Sequence, residues 1–166
     1  MSFSEKEFRK IMGCFTTGVA IITTQNQGKP IGITINSLTS VSLDPPLVLF
    51  CLDKRRAVFP EFLKNTDYAI HILSSTQQDL CLAFSNSSAN PWEGLAYEVS
   101  RFGCPILPNS LGILYCCRYE IYTCGDHIIF LNSVKNIHWQ ETNKRKDPLV
   151  YFQGKFYYSI ALTSSN

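Results

Sequence analysis

The chain opens polar and charged, and its first apolar residues, Phe8, Ile11, Met12 and Phe15, recur at helical spacing. Ser4 and Glu7 form a capping box ahead of them, so the pattern predicts an opening helix, with Gly13 weakening its middle and Gly18 ending the region. The period then changes from 3.6 to two. Val19 to Thr24 reads as a strand, Gln25-Asn26-Gln27-Gly28 as a turn, and Pro30 to Asn36 as a returning strand. Leu47 to Leu52 is short and wholly apolar, which predicts a strand buried on both faces.

A short helix is expected around Pro60 to Asn65, with the proline near its first turn. Tyr68 to Leu73 follows as a strand. Ser75 and Gln78 read as a second capping box, opening a helix that carries Leu80, Leu82, Ala83 and Phe84. Asn86 to Gly94 is loop-like, and Pro105 and Pro108 punctuate a connection. Leu111 to Thr123 alternates as a long strand, Gly125-Asp126 turns it, and Ile128 to Ile137 returns. Pro148 to Ile160 holds a last strand pair around Gln153-Gly154. Six to eight strands stand against two or three helices, and the strands come as hairpins rather than β-α-β units. That order predicts a mainly β protein, an antiparallel barrel with helices packed outside. No repeat or linker divides the 166 residues, so 1–166 is expected to be a single domain.

Composition narrows the function classes. Hydrophobic residues make up 45% and aromatics 13%, enough for a packed core, while charged residues are only 17%. So little charge predicts apolar surface covered by a partner or a second copy. A net charge of +2, with no aromatic-plus-basic stripe, argues against nucleic acid. Lys144-Arg145-Lys146 reads as a solvated loop. No apolar run approaches the ~20 residues of a membrane span, and Met1 to Lys10 is too polar for a signal peptide. A soluble, cytoplasmic protein is expected. The seven cysteines, at 14, 51, 81, 104, 116, 117 and 124, have no Cys-x-x-Cys pair and read as inert thiols. The three histidines lack ligand spacing, so no metal site is expected.

The candidate chemistry sits between the second strand and the apolar one. From Gly32 to Ser42, six hydroxyl or amide side chains fall within eleven residues, and Asp44-Pro45-Pro46 then ends the segment. Such residues beside free backbone N–H groups make a seat for a phosphate or a polar ring edge; an ordinary polar connection is the alternative. Gly-x-Gly-x-x-Gly is absent, which argues against a Rossmann nucleotide site.

Several motifs in order then carry a resemblance. They are Phe8-Arg9; Thr17-Gly18-Val19-Ala20 running on to Thr24; Gly32 to Ser37; Ser40-Val41-Ser42-Leu43-Asp44-Pro45-Pro46; His71-Ile72-Leu73 with Gln77 and Phe84; Gly125-Asp126-His127; and Pro148 to Tyr151 with Gly154 and Tyr157. Over residues 8–160 the chain resembles the flavin reductase-like family, which has the FMN-binding split barrel fold. The resemblance implies a Greek-key-like antiparallel barrel, a homodimer with flavin near the subunit interface, and hydride transfer from NADH or NADPH to FMN or FAD. It also implies a possible monooxygenase partner that takes the reduced flavin. The alternative is a flavin-binding electron carrier or sensor with little NAD(P)H turnover.

Residue by residue, the resemblance implies cofactor contacts at Thr34, Ile35, Asn36 and Ser37 for the ring edge, and at Ser40, Val41 and Ser42 for the ribityl chain or phosphate. Cys51, Leu52 and Asp53 pass nearby. Arg55 or Arg56 would meet the phosphate or lie in a solvated loop. Ala57 and Val58 stand where relatives often carry Ser or Thr. Phe84 and Gly125 join the cofactor set, and Tyr157 either covers the ring or packs in the barrel. His127 is the candidate for nicotinamide contact or proton movement, with Asp126 orienting it. His71, where relatives often carry Asn, reads as a packed, hydrogen-bonded histidine. FMN against FAD, and NADH against NADPH, stay open.

Overall fold

In a computed structural model, residues 2–86, 90–139 and 147–158 are described. The opening helix α1 spans Glu5–Met12 and carries the Ser4/Glu7 capping box, with Gly13 as its C-cap rather than a residue of its middle. The strands are β1 (Thr17–Gly18), β2 (Ala20–Asn26), β3 (Lys29–Ile35), β4 (Thr39–Leu43), β5 (Pro46–Asp53), β6 (Asp67–Ile72), β7 (Glu98–Val99), β8 (Pro105–Ile106), β9 (Gly112–Cys124), β10 (His127–Trp139), β11 (Leu149–Phe152) and β12 (Lys155–Tyr158). Two further helices, α2 (Phe59–Lys64) and α3 (Gln78–Ser85), complete the described elements. The second capping box lies one residue earlier than expected, at Ser74 and Gln77, and opens a 3-10 turn, Ser75–Gln77, that leads into α3.

The main sheet has seven strands in the order β3-β2-β6-β9-β10-β5-β4, each pair antiparallel. Hairpins build most of it. Asn26 pairs with Lys29 across a two-residue turn, where Gln27 and Gly28 both have positive φ, 50° and 78°. Gln153 and Gly154 repeat that geometry at 48° and 77° between β11 and β12. Positive φ at both central residues is the type I′ hairpin, whose twist matches that of the flanking strands.

The sheet curls into a split barrel whose edge strands, β3 and β4, do not pair with each other. The split is crossed just beyond β3. There the Ser37 hydroxyl accepts from Cys51 N–H at 3.0 Å and donates to Cys51 C=O at 3.2 Å. One side chain thus stands in for a rung of strand ladder.

Inside the barrel, Phe50, Phe62, Tyr68 and Phe130 form an aromatic cluster, with ring centroids 5.0 Å apart for the stacked Phe50–Phe130 pair. The Tyr68 hydroxyl shares its proton between the carbonyls of Phe62 (2.8 Å) and Asn65 (2.6 Å), tying α2 over the barrel end. A second core lies outside β2, where Val19, Ile21, Leu73, Phe84 and Leu149 bury α3 and the β1-β11-β12 sheet. Strands β2 and β6 are therefore the ones buried on both faces, Tyr68 and Ile70 of β6 facing the barrel and Ala69 and His71 buried on its other side. Strand β5 instead alternates: Val48, Phe50 and Leu52 enter the core, while Leu47, Leu49 and Cys51 stay half-buried outside. An apolar run alone does not distinguish the two cases, because leucine and cysteine suit either face.

Candidate functional site

Two adjoining grooves meet at Ser85, the last residue of α3. The smaller, about 340 Å³, lies between β3, α3 and the β11–β12 hairpin. Thr34, Ile35 and Asn36 line one side of it; Tyr151, Gly154 and Phe156 line the other. The larger, about 790 Å³, runs past Arg56, Phe84 and Trp92. Arg56 stands at the junction, donating from Nη1 to the Ser85 carbonyl at 3.1 Å.

The sequence folds this way for local reasons. Thr34 Oγ1 donates to the Cys81 carbonyl at 2.7 Å, which fixes β3 against α3. Gly32 lets Phe84 come close. A Cβ there would lie 2.5 and 2.8 Å from the Phe84 ring and 3.1 Å from Trp92. Gly32→Ala is accordingly expected to destabilise the fold by about 1–3 kcal/mol, as overpacked sites do. The check is a urea midpoint at unchanged slope, with a shift in Trp92 emission as Phe84 is displaced.

A second patch lies at the end of β5 and the β9–β10 turn. Register sets Cys51 opposite Ile129 and Asp53 opposite His127, so the Ser37 crossing and His127 share one strand end. Two residues along β5, about 7 Å, separate them. The turn is braced from β5: Lys54 N–H donates to the Asp126 carbonyl at 3.0 Å, and Lys54 Nζ to that of Gly125 at 2.7 Å. Gly125, with φ +59°, occupies the first turn position, where a type II′ hairpin favours glycine.

His127 Nδ1 lies 2.8 Å from Asp126 Oδ1. Asp126's carboxyl is held below its ordinary range, chiefly by that hydrogen bond. An ionised carboxylate only accepts, so Nδ1 carries the proton and Nε2 is the ring's other face to solvent. Asp53's carboxyl is held well below the usual range by hydrogen bonds from Arg55, whose Nη2 is 2.7 Å from Oδ2.

The structure does not bring all the expected residues together. Thr34, Ile35 and Asn36 line the smaller groove, and Arg56 and Phe84 the larger. Asp53, Gly125, Asp126 and His127 form the braced turn. Ser37's hydroxyl is engaged by Cys51 across the split. Leu52's side chain turns into the core. Ser40, Val41 and Ser42 lie on the edge strand β4, with a bulge at Val41, outside both grooves. Tyr157 is 44% exposed on β12, its ring 6.0 Å from that of Phe152.

Among the groove residues that had not been anticipated are Ser85, Trp92, Tyr151 and Phe156. Of these four, only Tyr151 lay in a quoted motif. His71 is buried as expected: Nδ1 donates to the Ile21 carbonyl at 3.1 Å, and Nε2 accepts from Leu107 N–H at 3.2 Å. All seven cysteines are free. Burial pushes the Cys81 thiol up to about 11 and the Cys104 and Cys116 thiols up to about 12. No metal-holding cluster is present among the described residues.

The donors suit a flavin. A flat apolar ring with a polar edge fits the amide and hydroxyl wall at Thr34–Asn36, and its anionic tail fits the cation at Arg56.

Comparisons with known proteins agree. The chain is 36% identical over 153 residues to the FMN reductase (NADH) SmoA of Agrobacterium fabrum, covering 92% of this chain and 85% of that one. The nitrilotriacetate monooxygenase component B homologue of Mycobacterium thermoresistibile superposes with a TM-score of 0.91 at 28% identity, covering 98% and 90% of the two chains. A NADH:FAD oxidoreductase of Streptomyces globisporus, solved with NAD and FAD fragments, gives 0.89 at 27%, covering 96% and 95%. Residues 12–159 match the flavin reductase like domain, and the chain belongs to that family.

Proposed function

We propose that this protein is an NAD(P)H-dependent flavin reductase that passes its reduced flavin to a monooxygenase partner. The observation that carries it is the pair of grooves meeting at Arg56, on a chain of this family. Held by Thr34, Asn36 and Arg56, a flavin would supply the redox chemistry of hydride transfer. The chain's residues bind, orient and exclude water. Thr34 to Asn36 meet the ring edge with backbone and side-chain groups, and Arg56 neutralises the phosphate with the N–H groups that Ser85 leaves over. His127, its tautomer fixed by Asp126, presents Nε2 to the nicotinamide or to the proton that accompanies reduction.

The assembly we propose is a homodimer. Leu47, Leu49, Ile129 and Leu131 share the half-buried outer face of β5 and β10. On α1, Phe8, Ile11 and Met12 are all exposed. Apolar surface on this scale supports a second copy as the cover. The chain acts as one domain over 1–166. Its setting is the cytoplasm, consistent with seven free thiols. No helix among the described residues is long and apolar enough to cross a membrane.

The test is oxidation of NADH and of NADPH by the purified protein, with and without FMN or FAD. Flavin-dependent oxidation is expected. Bound flavin without oxidation would instead select the electron-carrier reading, for which the altered segment 53–58, with Ala57 and Val58, leaves room.

A further inference from the structure

We propose that a cavity apart from both grooves binds a small organic cation. It has about 450 Å³ of space, within the range of small-molecule sites. It lies between the two-stranded β7-β8 sheet, the turn at Pro108 and Asn109, and the outer face of β9. Exposed His138 is part of its wall, at the far end of β10 from His127, roughly 35 Å along the strand. None of its described lining residues lines either groove.

The wall selects the ligand. Ile106, Leu107 and Ile113 make it apolar, and Tyr97 and Tyr115 add two aromatic rings. Each ring is held by another: Trp92 lies 5.1 Å from Tyr97, and Phe102 lies 5.1 Å from Tyr115. Aromatic rings attract cations, and rings already fixed lose little entropy in doing so. Charge decides the sign. Glu98 is the one carboxylate among the described lining residues, and no lysine or arginine joins it there. No ion pair among the described residues engages it. Arg101 does not line the cavity; its guanidinium lies over the Phe102 ring at 4.8 Å. An uncompensated carboxylate beside two tyrosines repels an anion and favours an ammonium group. Ser110 supplies a buried polar contact. It is 4% exposed, and among the described residues its hydroxyl reaches only the Leu107 carbonyl, at 3.5 Å. An O–H···O bond normally spans about 2.5–3.0 Å, so this hydroxyl keeps its capacity for an occupant.

The test is calorimetric titration of the purified protein with benzylamine, benzyl alcohol and benzoate, which share one ring and differ in charge. Benzylamine is expected to bind about tenfold tighter than either of the others, the worth of one charge-assisted contact. Glu98→Gln, an isosteric change on an exposed strand, should remove that preference. Ser110→Ala should weaken benzylamine by about threefold. Saturating FMN should leave benzylamine affinity unchanged. Flavin-dependent NADH oxidation by Glu98→Gln should match the native protein, which shows that the variant has folded. No benzylamine binding, equal affinity for the amine and the alcohol, or a Glu98→Gln protein that keeps the preference would overturn the inference. Displacement of benzylamine by FMN would put the probe in the flavin grooves and overturn it as well. Each of these failures leaves the reductase reading standing, because that reading is tested by NADH oxidation alone.

Discussion

His127→Ala is expected to lower the rate of NADH oxidation by about 100-fold, the range typical of losing one positioned proton-handling group, with flavin affinity changed less than about twofold. The argument rests on where the ring sits. It stands on the β9–β10 turn, half-exposed, and touches neither groove. Its hydrogen bond to Asp126 fixes one nitrogen, so the chemistry left to it is at the other. Asp126→Asn separates orientation from mere presence. An amide can offer Nδ1 an N–H in place of an acceptor, and the ring then settles in the wrong tautomer. An intermediate rate loss is expected there. Stopped-flow reduction with saturating flavin measures both variants. Equal loss of rate and of flavin binding in His127→Ala would show that the turn holds the flavin rather than the nicotinamide.

The second large effect is acid sensitivity of the fold itself. His71 is fully buried, and that burial lowers its pKa from 6.5 to about 4, against the carbonyls of Ile21 and Ala69, which favour the charged form. Leu107 N–H donates to Nε2, so protonation would set two donors face to face. Above pH 6.5 neither the folded nor the unfolded chain carries this proton, and the stability is fully present. Between 6.5 and 4 the unfolded chain takes it up and the folded chain does not, so stability falls with pH by up to about 3 kcal/mol. Carboxylates held low, such as Asp53 and Asp126, act in the same direction but below pH 4.5. The interval from pH 7 to 5 therefore isolates the histidine. Urea midpoints across it should drop in the native protein and stay level in His71→Asn. Parallel slopes in the two would assign the acid sensitivity to another group.

Much of this architecture was legible in the sequence because its punctuation is local. Gln27-Gly28, Gly125-Asp126 and Gln153-Gly154 each turn a hairpin where the residues say they should. The capping box at Ser4 and Glu7 starts α1 on its residue. Partnership between distant strands was harder to read. Leu47 to Leu52 looks uniformly apolar, yet only register against β10 decides which side faces the core. The polar segment from the end of β3 into β4 divided for the same reason. Thr34 and Asn36 reach the groove, while Ser40 and Ser42 ride the edge strand, because the chain crosses the split between them at Ser37. Trp92 gave no signal at all: a lone aromatic in a loop declares its neighbours only after α3 has folded onto β3 and brought Phe84 to Gly32.

The graded burial of the seven thiols gives the protein an internal clock for its own opening. Cys14 and Cys124 are exposed, Cys51 and Cys117 are half-covered, and Cys81, Cys104 and Cys116 are buried. The last three are also held protonated by their surroundings, and a thiol reacts as its thiolate. An alkylating reagent should mark the folded chain at two positions quickly and reach the core three only as the barrel gives way. Cys81 lies on the buried face of α3, Cys116 in the barrel and Cys104 beside β6. The order in which they are marked would record which layer comes apart first.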